Sequence, residues 1–182
     1  MPVSRLIFTP EDTSQSIDAD TLLGALKQLK LIGDKALKEN HYLLGEKFLG
    51  LITFLGCSPY INLHPNDGEN YCELYLFSSQ TTRCTGYTTQ CVPKCPVCTK
   101  RISHWKTANW QQADALCHCD KCNTETPYAQ LNWKQECSFG RCGFAITHIH
   151  PHEAVPTDQL LASLNEKTGV PWNYAYANNE EI

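Results

Sequence analysis

Two pairs of cysteines share one short spacing and predict metal chemistry. Cys95 and Cys98 are separated by two residues, as are Cys119 and Cys122, and 20 residues lie between the pairs. Structural zinc takes four ligands in a tetrahedron, with zinc–sulfur distances of about 2.3 Å. A turn with two residues between its cysteines directs both sulfurs at one ion, and the intervening segment is long enough to return the second turn to the first. The spacing therefore predicts one zinc ion held by these four cysteines.

The sequence Cys95-Pro-Val-Cys98 resembles the metal-binding turn of zinc ribbons. Asn123 follows the second pair, at a position where a residue that tolerates the left-handed backbone conformation is expected. The resemblance covers residues 91–150 and holds at the level of the superfamily. It implies a small β-rich module that folds around its metal. A four-cysteine site is closed, so the ion itself would not activate water.

Four further cysteines lie in the same segment: Cys91, Cys117, Cys137 and Cys142. The first two lie close to the pairs and are alternative ligands for the same ion. The last two would hold a second ion if two other residues joined them. The competing interpretation is that all four pack in the core, where free cysteine behaves as a small hydrophobic residue. The sequence leaves these alternatives open.

Two other groups are candidates for catalysis. His148 and His150 would share one face of a strand and bind a metal ion, but a catalytic ion needs a third ligand and an open position. Cys57 is a candidate nucleophile, although the apolar residues before it favour a buried thiol. The sequence contains no glycine-rich phosphate loop and no serine-hydrolase or zinc-protease motif. An enzyme is therefore the alternative prediction, and a thiol-based redox or metal sensor is the third.

Cationic and aromatic residues alternate after the first cysteine pair: Lys100, Arg101, His104, Trp105 and Lys106. Such a surface can hold phosphates and stack on unpaired bases. Alternatively, the tryptophans form the core of the module while the cations stay in solvent. Residues 91–150 carry seven Lys or Arg and four Asp or Glu, a formal charge of +3, whereas the whole chain carries -4 and the remainder therefore -7. We expect a protein or nucleic-acid partner to contact the module at these residues.

The segments that flank the module predict the elements that position it. Asp18 or Asp20 would cap a helix over residues 21–30, and Thr157 would cap a helix over residues 158–167. In both segments leucines recur on one helical face.

Alternating or β-prone residues predict strands at several places. Residues 60–64 and 70–77 are predicted to form a hairpin, because Asp67-Gly68 between them favours a tight turn. Residues 172–176 add a strand to the same sheet, and residues 144–150 end the module.

Together these features predict an α+β fold, with an antiparallel sheet, an N-terminal and a C-terminal helix, and an embedded β-rich zinc ribbon. The predicted domains are residues 1–90 for the first part of the body, 91–150 for the ribbon, and 151–182 for the helix and strand that complete the body. The hydrophobic fraction of 42% and the charged fraction of 19% are typical of a folded globular chain.

The sequence also predicts a compartment. The first ten residues have no secretory-signal pattern, and the most apolar stretch is interrupted by Glu46 and Lys47, so no membrane association is predicted. Without a secretory signal, the eleven cysteines are interpreted as reduced thiols and metal ligands. The leading prediction is a cytoplasmic, non-enzymatic zinc-binding module that mediates contact with a protein or a nucleic acid.

Overall fold

The computed structural model describes residues 3–56, 61–65, 70–112 and 114–179. These residues are mostly sheet, with three short helices. The elements follow in the order β1 (Arg5–Pro10), α1 (Ala19–Gln28), β2 (Ile32–Lys35), β3 (His41–Leu44), α2 (Phe48–Leu51), β4 (Ile52–Phe54), β5 (Glu73–Tyr87), β6 (Leu116–His118), β7 (Glu125–Pro127), β8 (Cys137–Thr147), β9 (Ala154–Pro156), α3 (Asp158–Thr168) and β10 (Trp172–Ala177). A 3-10 turn over Tyr128–Gln130 follows β7.

A six-stranded sheet with the strand order β10-β1-β8-β5-β3-β2 forms the body. All of its strand pairs are antiparallel. Strands β5 and β8 are the longest. Their pairing extends beyond the rest of the body and ends where Tyr87 pairs with Cys137. Residues 88–136 connect these two ends, and we call them the cysteine module. Strands β4 and β9 form a separate two-stranded sheet, as do β6 and β7.

Helices α1 and α3 begin where local capping signals predict. The carboxylate of Asp18 accepts hydrogen bonds from two backbone N–H groups in the first turn of α1. The hydroxyl of Thr157 accepts a hydrogen bond from the N–H of Leu160 at the start of α3, which ends at Gly169 with a φ of 75°. Glycine adopts this left-handed conformation without strain, so the helix stops there. Both helices bury leucines against one face of the sheet.

The core of the body lies between that sheet face and the helices. Leu6 and Phe8 of β1 and Phe144 and Ile146 of β8 are completely buried there. The rings of Phe8 and Phe144 stack with their centroids 4.5 Å apart.

A second core belongs to the cysteine module and the ends of β5 and β8. It consists mainly of aromatic rings and cysteines, with Ile102 and Leu131 as its buried aliphatic residues. The ring of Trp105 meets those of Trp110 and Trp133 edge to face, at centroid distances of 4.7 and 4.9 Å. The hydroxyl of Tyr128 donates a hydrogen bond to the backbone carbonyl of Trp105. The module thus has its own core, although it has little regular secondary structure.

Strands β5 and β8 bend between their two halves. Ser78 pairs with Cys142 and Arg83 with Gly140, so β5 contains extra residues that form a bulge. On β8, a Cβ atom at Gly143 would clash with the backbone carbonyl oxygen of Phe8. Glycine at this position therefore allows the bent ribbon to lie close to β1.

The predicted α+β fold is wrong. The described residues are dominated by a large antiparallel sheet, and the helices are not a terminal pair, because β1 precedes α1 and β10 follows α3. The predicted hairpin is also wrong in its first strand. Residues 61–65 form no strand, and β5 begins at Glu73 and pairs with β3 and β8. The pairing partners in the folded sheet, rather than local β-propensity, determine which of these residues form strands. The predicted turn at Asp67-Gly68 lies outside the described residues.

Residues 172–177 do form a strand of the main sheet, as predicted. None of the helices in the part of the chain that the structure describes is long and apolar enough to cross a lipid bilayer.

Candidate metal centre

The two Cys-x-x-Cys turns have the same backbone structure. In the first turn the N–H of Thr99 donates to the carbonyl of Cys95 at 3.0 Å, and in the second the N–H of Asn123 donates to the carbonyl of Cys119 at 2.8 Å. Thr99 and Asn123 are both left-handed, with φ values of 62° and 58°. Asparagine tolerates this conformation, whereas it is strained for a β-branched residue. The surrounding structure must therefore hold the first turn in place.

A second hydrogen bond closes each turn. The N–H of Cys95 donates to the carbonyl of Lys100 at 2.9 Å, and the N–H of Cys119 donates to the carbonyl of Thr124 at 3.0 Å. Each turn is also carried by a short antiparallel pairing. The bridge between Lys94 and Arg101 flanks the first turn, and the strands β6 and β7 flank the second.

The four sulfurs of the two turns converge. All four Sγ atoms lie within 4.8 Å of one another. The distance is 3.6 Å from Cys95 Sγ to Cys122 Sγ and 3.6 Å from Cys98 Sγ to Cys119 Sγ. Four sulfurs bound tetrahedrally to one zinc ion would be about 3.8 Å apart. The geometry is therefore compatible with a bound metal ion such as zinc. Among the described residues, no other group of three or more His, Cys, Asp or Glu side chains converges in this way.

The environment shifts the pKa values of these thiols in opposite directions. The hydroxyl and the backbone N–H of Thr124 stabilise the thiolate of Cys122 and lower its pKa to about 6. The backbone N–H of Lys100 favours the thiolate of Cys98, but burial and the three neighbouring sulfurs outweigh it and raise the pKa of Cys98 to about 11. A bound dication would stabilise all four thiolates together.

The other predicted cysteine ligands do not join this group. Cys117 is buried beside the second turn but outside the converging sulfurs. Burial raises the pKa of Cys91 to about 12. Cys137 Sγ lies 3.8 Å from Cys84 Sγ, a buried contact that sequence reasoning missed because 52 residues separate the two in the chain. Cys142 instead accepts a hydrogen bond from a backbone N–H just before α1. The structure therefore does not bring Cys137 and Cys142 together.

The histidines do not share a strand face. Strand β8 ends at Thr147, so the predicted strand over residues 144–150 is wrong at its end. His148 is left-handed, with a φ of 58°, and turns the backbone before His150. The Nδ1 atom of His150 lies 3.2 Å from Ser4 Oγ. No described residue completes a three-ligand site with these histidines. Cys57 lies outside the described residues.

The predicted contact surface is only partly exposed. Trp105 and Trp110 are 5% and 6% exposed and belong to the module core. They are therefore not available to stack on a base in the folded protein. Four cationic residues of this segment are exposed, namely Lys100, Arg101, His104 and Lys106.

Two of these cations already have partners. His104 Nε2 lies 2.7 Å from a carboxylate oxygen of Asp120, and the ammonium of Lys106 lies over the rings of Tyr87 and Trp105. Lys100 and Arg101 have no ion pair among the described residues.

Comparisons of the chain with protein-family models, with curated proteins and with solved structures find no match.

Proposed function

We propose that Cys95, Cys98, Cys119 and Cys122 hold one structural zinc ion, and that the unit around it is a non-enzymatic interaction module of a cytoplasmic protein. One observation carries this proposal: two turns with matching hydrogen bonds direct four sulfurs at one point. The proposal assigns the metal-binding domain to residues 91–150 and the body to residues 1–90 and 151–182. Strand β8 lies within the first range but is an inner strand of the main sheet, so the two proposed domains share it.

A structural role fits the ligand set better than a catalytic one. Four cysteines complete a tetrahedron and leave no open position for water or substrate. Cys95 and Cys119 are 1% and 2% exposed, so half of the ligands are shielded from solvent. The enzymatic alternative at His148 and His150 lacks a converging third ligand among the described residues.

An interaction role is supported by what the module exposes. Its large aromatic rings are buried in its own core, and its outer surface carries cations, such as Lys100 and Arg101, that form no ion pair with any described residue. A metal that stabilises such a surface provides a rigid platform for contacts, because metal binding and folding are coupled in small zinc modules.

Metal analysis of the purified protein tests the proposal. We expect one zinc ion per chain, and most of it should be lost in Cys98→Ser and in Cys119→Ser. The matched control is Cys117→Ser, which changes a neighbouring buried thiol outside the sulfur group and should retain the ion. Full zinc content with unchanged thermal stability in both ligand variants would contradict the proposal.

A further inference from the structure

Three cationic side chains lie together on one side of the cysteine module. Lys94 forms an antiparallel bridge with Arg101 on one side and with Asn132 on the other. Residues directly opposite in such a bridge present their side chains on the same face. Lys134 lies two positions after Asn132, and its side chain contacts that of Lys94. We call Lys94, Arg101 and Lys134 the basic trio.

The basic trio has no acidic partner in the part of the chain that the structure describes. None of the ion pairs among the described residues includes any of its members. Like charges directly opposite one another destabilise a β-pairing. The chain nevertheless places three cations here while its overall formal charge is -4. An arrangement that repels itself in the free protein is stabilised when an anion binds to it.

A cleft of about 380 Å³ lies beside one member of the trio, Lys134, between the module and the edge of the main sheet. Hydroxyl and amide side chains that can donate and accept hydrogen bonds also line it, among them Thr9, Ser138, Asn132, Gln135 and Asn173. Glu11 is the one carboxylate among the described residues of the lining. The volume lies in the range of small-ligand sites, which runs from about 300 to 1,000 Å³.

The backbone holds Lys134 beside this cleft. Lys134 and Gln135 are both left-handed, with φ values of 52° and 67°. The N–H of Tyr176 in the edge strand β10 donates to the carbonyl of Gln135 at 2.7 Å. The cationic side chain of Lys134 is therefore held next to a cleft whose side chains can form hydrogen bonds with a ligand.

We propose that the basic trio binds phosphates of a single-stranded nucleic acid and that the adjacent cleft accepts one of its nucleosides. Phosphate contacts supply affinity, whereas the edges of unpaired bases offer the donors and acceptors that hydroxyl and amide side chains can pair with. A duplex keeps its base edges inside the grooves, so a recessed cleft favours a single strand. The inference rests on the proposed interaction function and names its partner.

Fluorescence anisotropy with labelled 12-nucleotide oligouridylate and oligothymidylate, titrated at several salt concentrations, tests this inference. Each phosphate contact to a single strand contributes about -0.7 to the slope of log K against log salt, so the trio predicts a slope of about -2. Lys94→Gln and Lys134→Gln should each weaken binding at low salt several-fold and reduce the slope by about 0.7. Asn173→Ala in the cleft should weaken binding with the slope unchanged.

The matched control is Lys35→Gln, which removes an exposed lysine of β2 that has no ion pair among the described residues. It should bind like the parent. Absence of oligonucleotide binding at low salt, parental binding by both trio variants, or equal affinity for a polyglutamate peptide would each overturn the inference. Zinc content is measured in parallel. A zinc-loaded protein that fails to bind contradicts only the inference, whereas a protein without zinc contradicts the proposed function.

Discussion

The body and the cysteine module reach a folded state by different means. The body buries aliphatic and aromatic side chains between a six-stranded sheet and its helices. The module has two strands of three residues among its described part, and its core is a group of indole and phenol rings beside the sulfurs. The backbone hydrogen bonds of the module join mostly turns and isolated bridges, so no long strand ladder defines its shape. The proposed zinc ion would cross-link two distant turns and supply that definition, because metal binding and folding are coupled in small zinc modules.

The largest expected effect is loss of the metal, and it should separate the two regions. Cys119→Ser should unfold the module while the body keeps its sheet, because zinc binding contributes about 10 kcal/mol or more to the folding of such modules. Three of the four tryptophans lie in the module, and Trp172 lies in the body. Tryptophan fluorescence should therefore shift to longer wavelength while far-ultraviolet circular dichroism changes little.

Cys117→Ser again serves as the control, and its fluorescence should match that of the parent. Simultaneous loss of the far-ultraviolet circular dichroism of the sheet in Cys119→Ser would show that the two regions fold as one unit. That result would contradict the proposed difference between body and module.

A smaller effect is expected from a cavity in either core. Trp110→Ala and Phe144→Ala should each lower the free energy of unfolding by about 3–5 kcal/mol. The first change should act on the module transition and the second on the body transition, in urea unfolding followed by fluorescence and by circular dichroism. The double variant should show additive effects, because the residues belong to separate cores. A strong departure from additivity would indicate coupling through the bent ribbon of β5 and β8.

The smallest expected effect concerns the strain in the first turn. Thr99→Asn places at this position the residue that the second turn already has, and it should relieve about 1 kcal/mol of left-handed strain. Because metal binding and turn geometry are coupled, zinc affinity in a chelator competition should rise several-fold. The reciprocal change, Asn123→Thr, should lower it by a similar factor. Unchanged affinity in both variants would mean that the backbone conformation of the turns does not limit metal binding.

Local signals in the sequence predicted the parts of the structure that depend on neighbouring residues. The cysteine spacing indicated which sulfurs would converge, and Asp18 and Thr157 indicated where two helices begin, because turns and caps are set within a few residues. The fold class was not predictable in this way. The pairing of β5 with both β3 and β8 joins residues far apart in the chain, and no local pattern specifies which strands become neighbours.

The surface of the module was predicted less well than the convergence of its four sulfurs. Trp105 lies between cations in the sequence, but its ring points into the module core, since few other large apolar side chains are available there. The basic trio was missed because Lys94 and Lys134 are 40 positions apart and meet through the bridge of Lys94 with Asn132. Sequence proximity grouped Arg101 with Lys100, His104 and Lys106, whereas the fold groups it with Lys94 and Lys134.

The ladder between β5 and β8 has a consequence for the state without metal. Tyr87 and Cys137, at the two ends of the cysteine module, are directly paired in that ladder. If the module unfolds, its residues become a flexible loop whose ends the sheet already holds together. The entropy of closing such a loop grows only slowly with its length, by about 0.6 kcal/mol for each doubling. If zinc orders the module as proposed, loss of the ion would convert residues 88–136 into an unstructured loop, while strands β5 and β8 would remain paired.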